Sequence, residues 1–327
     1  MAAQTPPAFS DLRATRTLVT GGAGFIGSHL ATALRTLGSE VTVLDDLSGG
    51  GDPAGLPAGV RFVGGSILDA SLVAEVMAGC RFVFHQAALG SVPRSVEQPR
   101  LYHDVNVTGT LNVLEAARAA GVTRVMFAAS SSCYGDNPTL PKTESMPTSP
   151  RSPYAANKVC DEAMMSAYAH SYGVDTACLR YFNIFGPRQS PDNAYAAVIA
   201  AFAKALVNGR RPVIFGDGEQ SRDFTYVDNV VRANLLATQV ATPLRGAAIN
   251  IACGQRVTVT ELAVEMAALF GRPDLTPEYR PERAGDVKHS LADLAVARRL
   301  LGYEPVVGFK QGLAATVEWY RTALRPG

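Results

Sequence analysis

A parallel, doubly wound α/β sheet with a smaller α/β lobe behind it is the fold class this sequence predicts, and three observations predict it. A glycine loop, Thr20-Gly21-Gly22-Ala23-Gly24-Phe25-Ile26-Gly27-Ser28, follows the short apolar strand Thr17-Leu18-Val19 and opens a helix. A second apolar run, Glu40-Val41-Thr42-Val43-Leu44, ends in Asp45, roughly 20 residues on, the distance at which an acid meets the adenosine ribose hydroxyls. Strand-like and helix-like segments then alternate, the rhythm of βαβ units. Bare amides at a helix N-terminus suit a dinucleotide pyrophosphate, so the first half reads as a Rossmann domain.

In chain order, the strand candidates are 16–20, 41–45, 60–63, 81–86, 123–129 and 175–181, short apolar runs bounded by turn residues. Helical candidates lie between them, near 25–37, 71–78, 100–120 and 152–172. From Asn183 the rhythm loosens. Phe185-Gly186-Pro187-Arg188 reads as a loop, 195–208 as a helix, 213–215 and 248–251 as strands, and 258–270, 291–301 and 308–323 as helices. The expected division is a Rossmann domain over 1–182 and a substrate lobe over 183–327 whose elements interleave with it. No internal repeat or low-complexity tract interrupts the pattern.

Chemistry enters at two places. Ser130-Ser131-Ser132 ends the apolar run Arg124–Ala129, at the carboxyl edge of the predicted parallel sheet where such folds hold ligands. Tyr154-Ala155-Ala156-Asn157-Lys158 puts a phenol and an ammonium one helical turn apart on one face. A nicotinamide cofactor beside such a phenol can move a hydride and a proton at a secondary alcohol. No Arg or Lys follows Asp45 directly to receive a 2′-phosphate, so the expected cofactor is NAD rather than NADP.

Composition excludes other classes. At 327 residues the chain can bury a sizeable core, and a net charge of +1 gives no electrostatic case for nucleic acid or an anionic membrane surface. The five cysteines, Cys80, Cys133, Cys160, Cys178 and Cys253, show no Cys-x-x-Cys spacing, as expected of free thiols in the cytoplasm. Met1–Ala14 has no apolar segment of a signal peptide and reads as a loose arm. No apolar run of the length of a membrane span occurs, and no metal site is expected.

With these residues assembled, the chain resembles the extended short-chain dehydrogenase/reductases, specifically the nucleotide-sugar 4-epimerases of the UDP-galactose type. The motifs are TGGAGFIGSH at 20–29, HQAAL at 85–89, Asn106-Val107-Thr108-Gly109-Thr110, SSSCYG at 130–135, SPYAANK at 152–158, LRYFNIFGPRQ at 179–189, GDGEQSRDF at 216–224 and RAGDVKHS at 283–290. The resemblance implies that Gly21, Gly24, Phe25, Ile26 and Gly27 cradle the pyrophosphate and that Asp45 holds the ribose. It implies that Ala87, Ala88 and Tyr181 line the cofactor cleft, that Asn106 steadies a water and lysine network, and that Lys158 binds the nicotinamide ribose and lowers the Tyr154 pKa. Where the family often has Gly-Asp-Ile, this chain has Gly65-Ser66-Ile67, so adenine recognition is expected to rest on the Ser66 hydroxyl and the Ile67 amide.

The same resemblance places Arg222 and Arg283 on the substrate diphosphate, Asp286 on the uridine ribose and Asn183 on a phosphate oxygen. Ala197, Val198 and Phe215 fall around uracil, and Gly90, Ser91, Ser131, Ser132, Gln189 and Ser290 around the sugar. Tyr154 is the implied general base and Ser131 its hydroxyl partner on the sugar 4-oxygen. Ser131-Ser132-Cys133 carries no carboxylate where the 4,6-dehydratases have an Asp-Glu pair and the decarboxylases a Glu. Ser290 stands where a bulky Tyr excludes a 2-acetamido group in the family. The implied reaction is therefore 4-epimerisation of a UDP-sugar with tightly held NAD, the acetylated glucosamine/galactosamine pair foremost, in a homodimer formed through helices 100–120 and 152–172. A UDP-glucuronate epimerase, an oxidoreductase that releases its product, and an NAD-binding regulator without turnover stay open as alternatives.

Overall fold

The computed structural model describes residues 9–191, 198–282 and 288–324. β1 (Arg16–Thr20) passes through the glycine loop into α1 (Phe25–Thr36), followed by β2 (Glu40–Asp45), β3 (Arg61–Gly64), α2 (Ala70–Met77) and β4 (Phe82–His85). Next come α3 (Val92–Glu97), α4 (Pro99–His103), a π-turn at Asp104–Thr108 and α5 (Gly109–Ala120). β5 (Arg124–Ser130), a 3₁₀ turn at Ser131–Tyr134, α6 (Pro153–Tyr172) and β6 (Thr176–Tyr181) complete the first part. The second holds β7 (Ile184–Phe185), α7 (Val198–Val207), β8 (Val213–Phe215), β9 (Ser221–Arg222), β10 (Thr225–Tyr226) and α8 (Val227–Gln239). It ends with β11 (Ala247–Ile251), β12 (Val257–Thr258), α9 (Val259–Leu269), β13 (Glu278–Arg280), α10 (Ala295–Leu301) and α11 (Phe309–Ala323).

One sheet runs in the order β11-β6-β5-β4-β1-β2-β3, with every pairing parallel. Val19 of β1 lies between Val43 of β2 and Phe84 of β4. The chain winds one way from β1 to β3 and then crosses to β4, so the crevice between β1 and β4 is where winding reverses and where such sheets bind ligands. Strands such as β4, buried at every position, lack the apolar–polar alternation of a half-exposed strand because helices cover both sheet faces. Apolar side chains cluster on each face, around Leu30, Val43 and Leu179 on one and around Leu18, Val113 and Phe127 on the other. A third cluster, centred on Phe185, Phe202, Leu262 and Leu313, holds the smaller lobe together.

Local chemistry sets the helix ends. Ser152 caps α6 by accepting the Ala155 N–H at 3.2 Å, Pro153 occupies the first turn, and Gly173 in the left-handed region closes it. Thr258 and Glu261 form a reciprocal capping box at the start of α9.

The structure departs from sequence expectation in several places. Phe185 belongs to strand β7, paired with β10, rather than to a loop. The segment after Gly90 is helix α3, and the expected helix 100–120 is interrupted by the π-turn. The helix expected at 291–301 is confined to 295–301. α8 had no sequence signal at all. Ten of its residues are buried, Asn229, Asn234 and Thr238 among them. Asn229 is fully engaged, its Oδ1 accepting from Val306 and Val307 N–H, whereas Asn234 donates Nδ2 to Tyr181 Oη at 2.8 Å and leaves its Oδ1 without a partner among the described residues.

Candidate active site

The glycine loop is shaped by close approach. Gly21 has a φ of +67°, and a Cβ there would lie 2.6 Å from the Ala87 nitrogen. A Cβ on Gly27 would overlap the Gly21 carbonyl, because α1 starts directly against the end of β1. Asp45 ties the loop down: Oδ2 accepts the Ala23 N–H at 2.9 Å and Oδ1 the Leu47 N–H at 2.8 Å. Gly21, Gly24, Phe25, Ile26, Gly27 and Asp45 all line one cleft of about 1110 Å³, and Ile67, Ala87, Ala88 and Tyr181 line its further walls. Backbone-only cradle, helix N-terminus and terminal acid fit a dinucleotide of the NAD type.

Two expected cofactor residues sit differently. Ser66 does not line the cleft; its Oγ accepts the Leu68 N–H at 3.2 Å and shapes the turn before α2. Asn106, in the π-turn, spends its amide on the loop after β4, with Oδ1 accepting from Leu89 N at 2.8 Å and Nδ2 donating to Leu89 O at 3.1 Å. It positions the cleft wall rather than lining it. Gln86, absent from the sequence expectations, lines the cleft and accepts a 3.2 Å hydrogen bond from Tyr181 Oη. It lies inside the HQAAL motif.

Tyr154 and Lys158 enter the same cleft from α6. The hydroxyl that works on the Tyr154 phenol is that of Ser130, the last residue of β5. Ser131 and Ser132 line the cleft one step along, in the 3₁₀ turn that Ser130 caps by accepting the Ser132 N–H. The register follows from the strand end: once the chain turns into 3₁₀ geometry, only the final extended residue still points along the sheet edge toward α6. The Ser130 identity had a signal in the sequence, since it terminates the apolar run.

Burial raises the Tyr154 phenol above its ordinary value, and the Ser130 hydrogen bond opposes that rise. The Lys158 ammonium lies 4.5 Å from the centroid of the Phe127 ring, with Asp161 about one turn further along α6. Burial lowers Lys158 and Asp161 counteracts. Beneath them His85 accepts and donates between Thr20 and Thr110, at 2.7 and 2.9 Å, and burial pushes its imidazole down to about 3. A neutral histidine here adds no charge to that of Lys158.

On the sugar side, Gly90, Asn183, Arg222 and Ser290 line the cleft. Asn183, with a positive φ of 40°, directs Nδ2 toward Ser290 Oγ at 3.4 Å and Asp223 O at 3.2 Å. Asn183 and Arg222 also line an adjoining cavity of about 1210 Å³ with Val198 and Phe215. Ser91 caps α3 by accepting the Arg94 N–H, and its hydroxyl is outside the cleft lining. Gln189 is folded back, Nε2 donating to Ile184 O at 3.1 Å while its backbone carbonyl accepts from Tyr320 Oη at 2.6 Å, and lines neither cavity. It braces the crossover between lobes. Ala197, Arg283 and Asp286 lie outside the described residues. Lys142, a buried cation without a sequence signal, lines the cleft beside Ser290 and donates to the carbonyls of Asn137 and Thr139.

A seven-stranded Rossmann sheet with a glycine cradle and a Ser-Tyr-Lys constellation at its carboxyl edge defines a short-chain dehydrogenase/reductase of the extended class. The chain belongs to the NAD dependent epimerase/dehydratase family, whose match covers residues 17–252. It is 42% identical over 314 residues to a UDP-glucose 4-epimerase of Mycolicibacterium smegmatis, covering 94% of this chain and 98% of that one. Among solved structures it resembles a UDP-N-acetylglucosamine 4-epimerase of Methanobrevibacter ruminantium in complex with UDP-N-acetylmuramic acid, with 38% identity, a TM-score of 0.90, and 95% and 99% of the two chains covered. The UDP-glucose 4-epimerase of Thermotoga maritima with UDP-glucose is equally similar, at 38% identity and a TM-score of 0.90, over 95% and 100%.

Proposed function

We propose that this protein interconverts UDP-sugars epimeric at carbon 4, with UDP-N-acetylglucosamine and UDP-N-acetylgalactosamine the leading pair and UDP-glucose and UDP-galactose also accepted. The observation that carries the reading is the continuity of the cleft: the Tyr154–Ser130 pair opens into a second cavity through Asn183 and Arg222, so a reacting sugar and its nucleotide have adjoining spaces. Bound NAD supplies a hydride acceptor that later returns the hydride. Tyr154 takes the proton of the sugar 4-hydroxyl and gives it back to the 4-keto sugar, while Ser130 hydrogen-bonds the same oxygen. Arg222, joined by Arg283, grips the diphosphate with guanidinium forks, which leaves the hexose free to turn its other face to the cofactor. No carboxylate stands at Ser131, Ser132 or Cys133 to drive elimination.

Small Ser290 at the sugar end leaves room for a 2-acetamido group. The testing experiment is a panel of UDP-sugars with and without that group, assayed for the 4-epimer without added NAD, in wild type and Ser290→Tyr. The variant is expected to lose the acetylated pair by steric overlap and keep the plain pair. Equal turnover of UDP-N-acetylglucosamine by both proteins would remove Ser290 from specificity. Stoichiometric NADH release with added NAD would favour the oxidoreductase reading. Half-exposed Leu101, Leu111 and Tyr172 on α4–α6 support a homodimer through these helices, to be checked by light scattering.

A further inference from the structure

We propose that Asp161 is a positioning residue that competes with Tyr154 for the Lys158 ammonium and thereby sets the pH at which the phenol ionises; the inference rests on the acid–base role proposed for Tyr154. Tyr154, Lys158 and Asp161 stand at positions i, i+4 and i+7 of α6, one face of the helix. Lys158 is 2% and Asp161 0% exposed. Neither carboxylate oxygen of Asp161 has a hydrogen-bond partner among the described residues. Its neighbour Glu162 differs, being held by both Nε and Nη2 of Arg180 at 2.8 and 2.7 Å. A buried carboxylate without hydrogen bonds must draw on a cation or keep its proton, and Lys158 is the cation to which it is coupled.

The other groups facing this pair do not replace it. On α6, Cys160 is an exposed thiol. β6 contributes the buried thiol Cys178 and Arg180, the latter committed to Glu162 and Tyr134. β5 presents the uncharged Phe127 ring, β4 the neutral His85, α4 the phenol Tyr102 and the 3₁₀ turn Cys133. In α5, Glu115 is bound to Arg118 and Tyr168, and in the π-turn Asp104 is at the surface. α3 brings Arg94 and Glu97, neither of them buried.

Two acids therefore share one ammonium in a low-dielectric site, and ionising either makes the other harder to ionise. Burial raises the Asp161 carboxyl to about 7, with Lys158 opposing, and the Asp161 charge in turn raises the Tyr154 phenol. Removing the carboxylate removes a like charge and frees Lys158 for the phenolate. Both effects lower the phenol pKa.

The test is a pH titration of phenolate absorbance in the NAD-loaded protein, taken as the difference from Tyr154→Phe so that other tyrosines cancel. Asp161→Asn is expected to raise the Tyr154 ionisation constant at least about tenfold and to move the acid limb of kcat to lower pH. Asp161→Glu should restore the wild-type midpoint, which loss of packing alone would not predict. If the amide variant does not fold, Asp161→Ser gives the same readout. An unchanged or higher midpoint in a folded uncharged variant overturns the proposal. A wild type that forms no 4-epimer from any UDP-sugar would instead defeat the assigned reaction, while the titration would still report on Asp161.

Discussion

At the scale of single residues, the site depends on which hydroxyl meets the Tyr154 phenol. Tyr154→Phe is expected to cost about 10²–10⁴ in kcat, the usual contribution of a general acid–base group. Ser130→Ala should lose roughly 10²–10³, as for a donor aimed at a developing oxyanion, whereas Ser131→Ala should lose less than about tenfold. Steady-state kinetics of the three variants decide the register, and equal losses at both serines would contradict it. His85 bears on stability. Its folded pKa of about 3 lies below the ordinary 6.5, so below pH 6.5 the unfolded chain binds a proton that the folded chain refuses. Stability from this group therefore falls with acidification, at about 1.4 kcal/mol per pH unit. Asp161, raised to about 7 from 3.8, works oppositely, keeping its proton when folded and adding stability as pH falls through that window. The difference between wild type and His85→Gln isolates the histidine: denaturant midpoints should fall less steeply between pH 6.5 and 5 in the variant.

At the scale of elements, the close seating of α1 against β1 and of the glycine loop against β4 makes the cradle. Gly27→Ala would push a methyl into the Gly21 carbonyl, forcing backbone to shift at a cost of about 1–3 kcal/mol and widening the pyrophosphate cradle. NAD content of the purified variant should drop sharply, while far-UV circular dichroism stays close to wild type. α8 is fixed differently. Arg124 of β5 pairs with Asp175 and donates to the carbonyls of Ala237, Val240 and Thr242 where that helix ends. Arg124→Met would leave Asp175 and these carbonyls poorly paired, and removing one partner of a buried pair typically costs about 3–5 kcal/mol. A thermal melt should show the loss without a matching fall in kcat at low temperature.

At the scale of the whole molecule, the main sheet and the elements after Asn183 meet at the cleft, since Asn183 and Arg222 line both the main cleft and the adjoining cavity. β11, well beyond residue 183, pairs with β6 in the main sheet, so the second part of the chain returns to complete the first. A ligand that bridges the lobes should stabilise both. NAD at about a hundred times its dissociation constant contributes roughly 2.7 kcal/mol, and a UDP-sugar should raise the melting temperature further. A UDP-sugar that left the melting temperature of the NAD-loaded protein unchanged would argue against the bridging site.

The amino-acid sequence by itself determined the Rossmann class, the glycine cradle, Asp45 and the Tyr154–Lys158 pair. These are signals a few residues long, in which a loop or one helix face brings the chemistry together without help from distant chain. It also carried the family, through motifs spread from Thr20 to Ser290. Only the tertiary structure decided that Ser130 rather than Ser131 reaches Tyr154, because the direction of a serine at a strand end depends on where the next turn begins. It alone showed α8, where polar Asn229, Asn234 and Thr238 are buried among the apolar residues. It gave Ser66, Ser91, Asn106 and Gln189 backbone partners, since a polar side chain bonds whichever backbone group lies nearest. It also buried Asp161 together with Lys158 on one face of α6, a neighbourhood that helical spacing permits but only burial makes consequential: in water the same two charges would be screened, and in the interior they govern each other's protons.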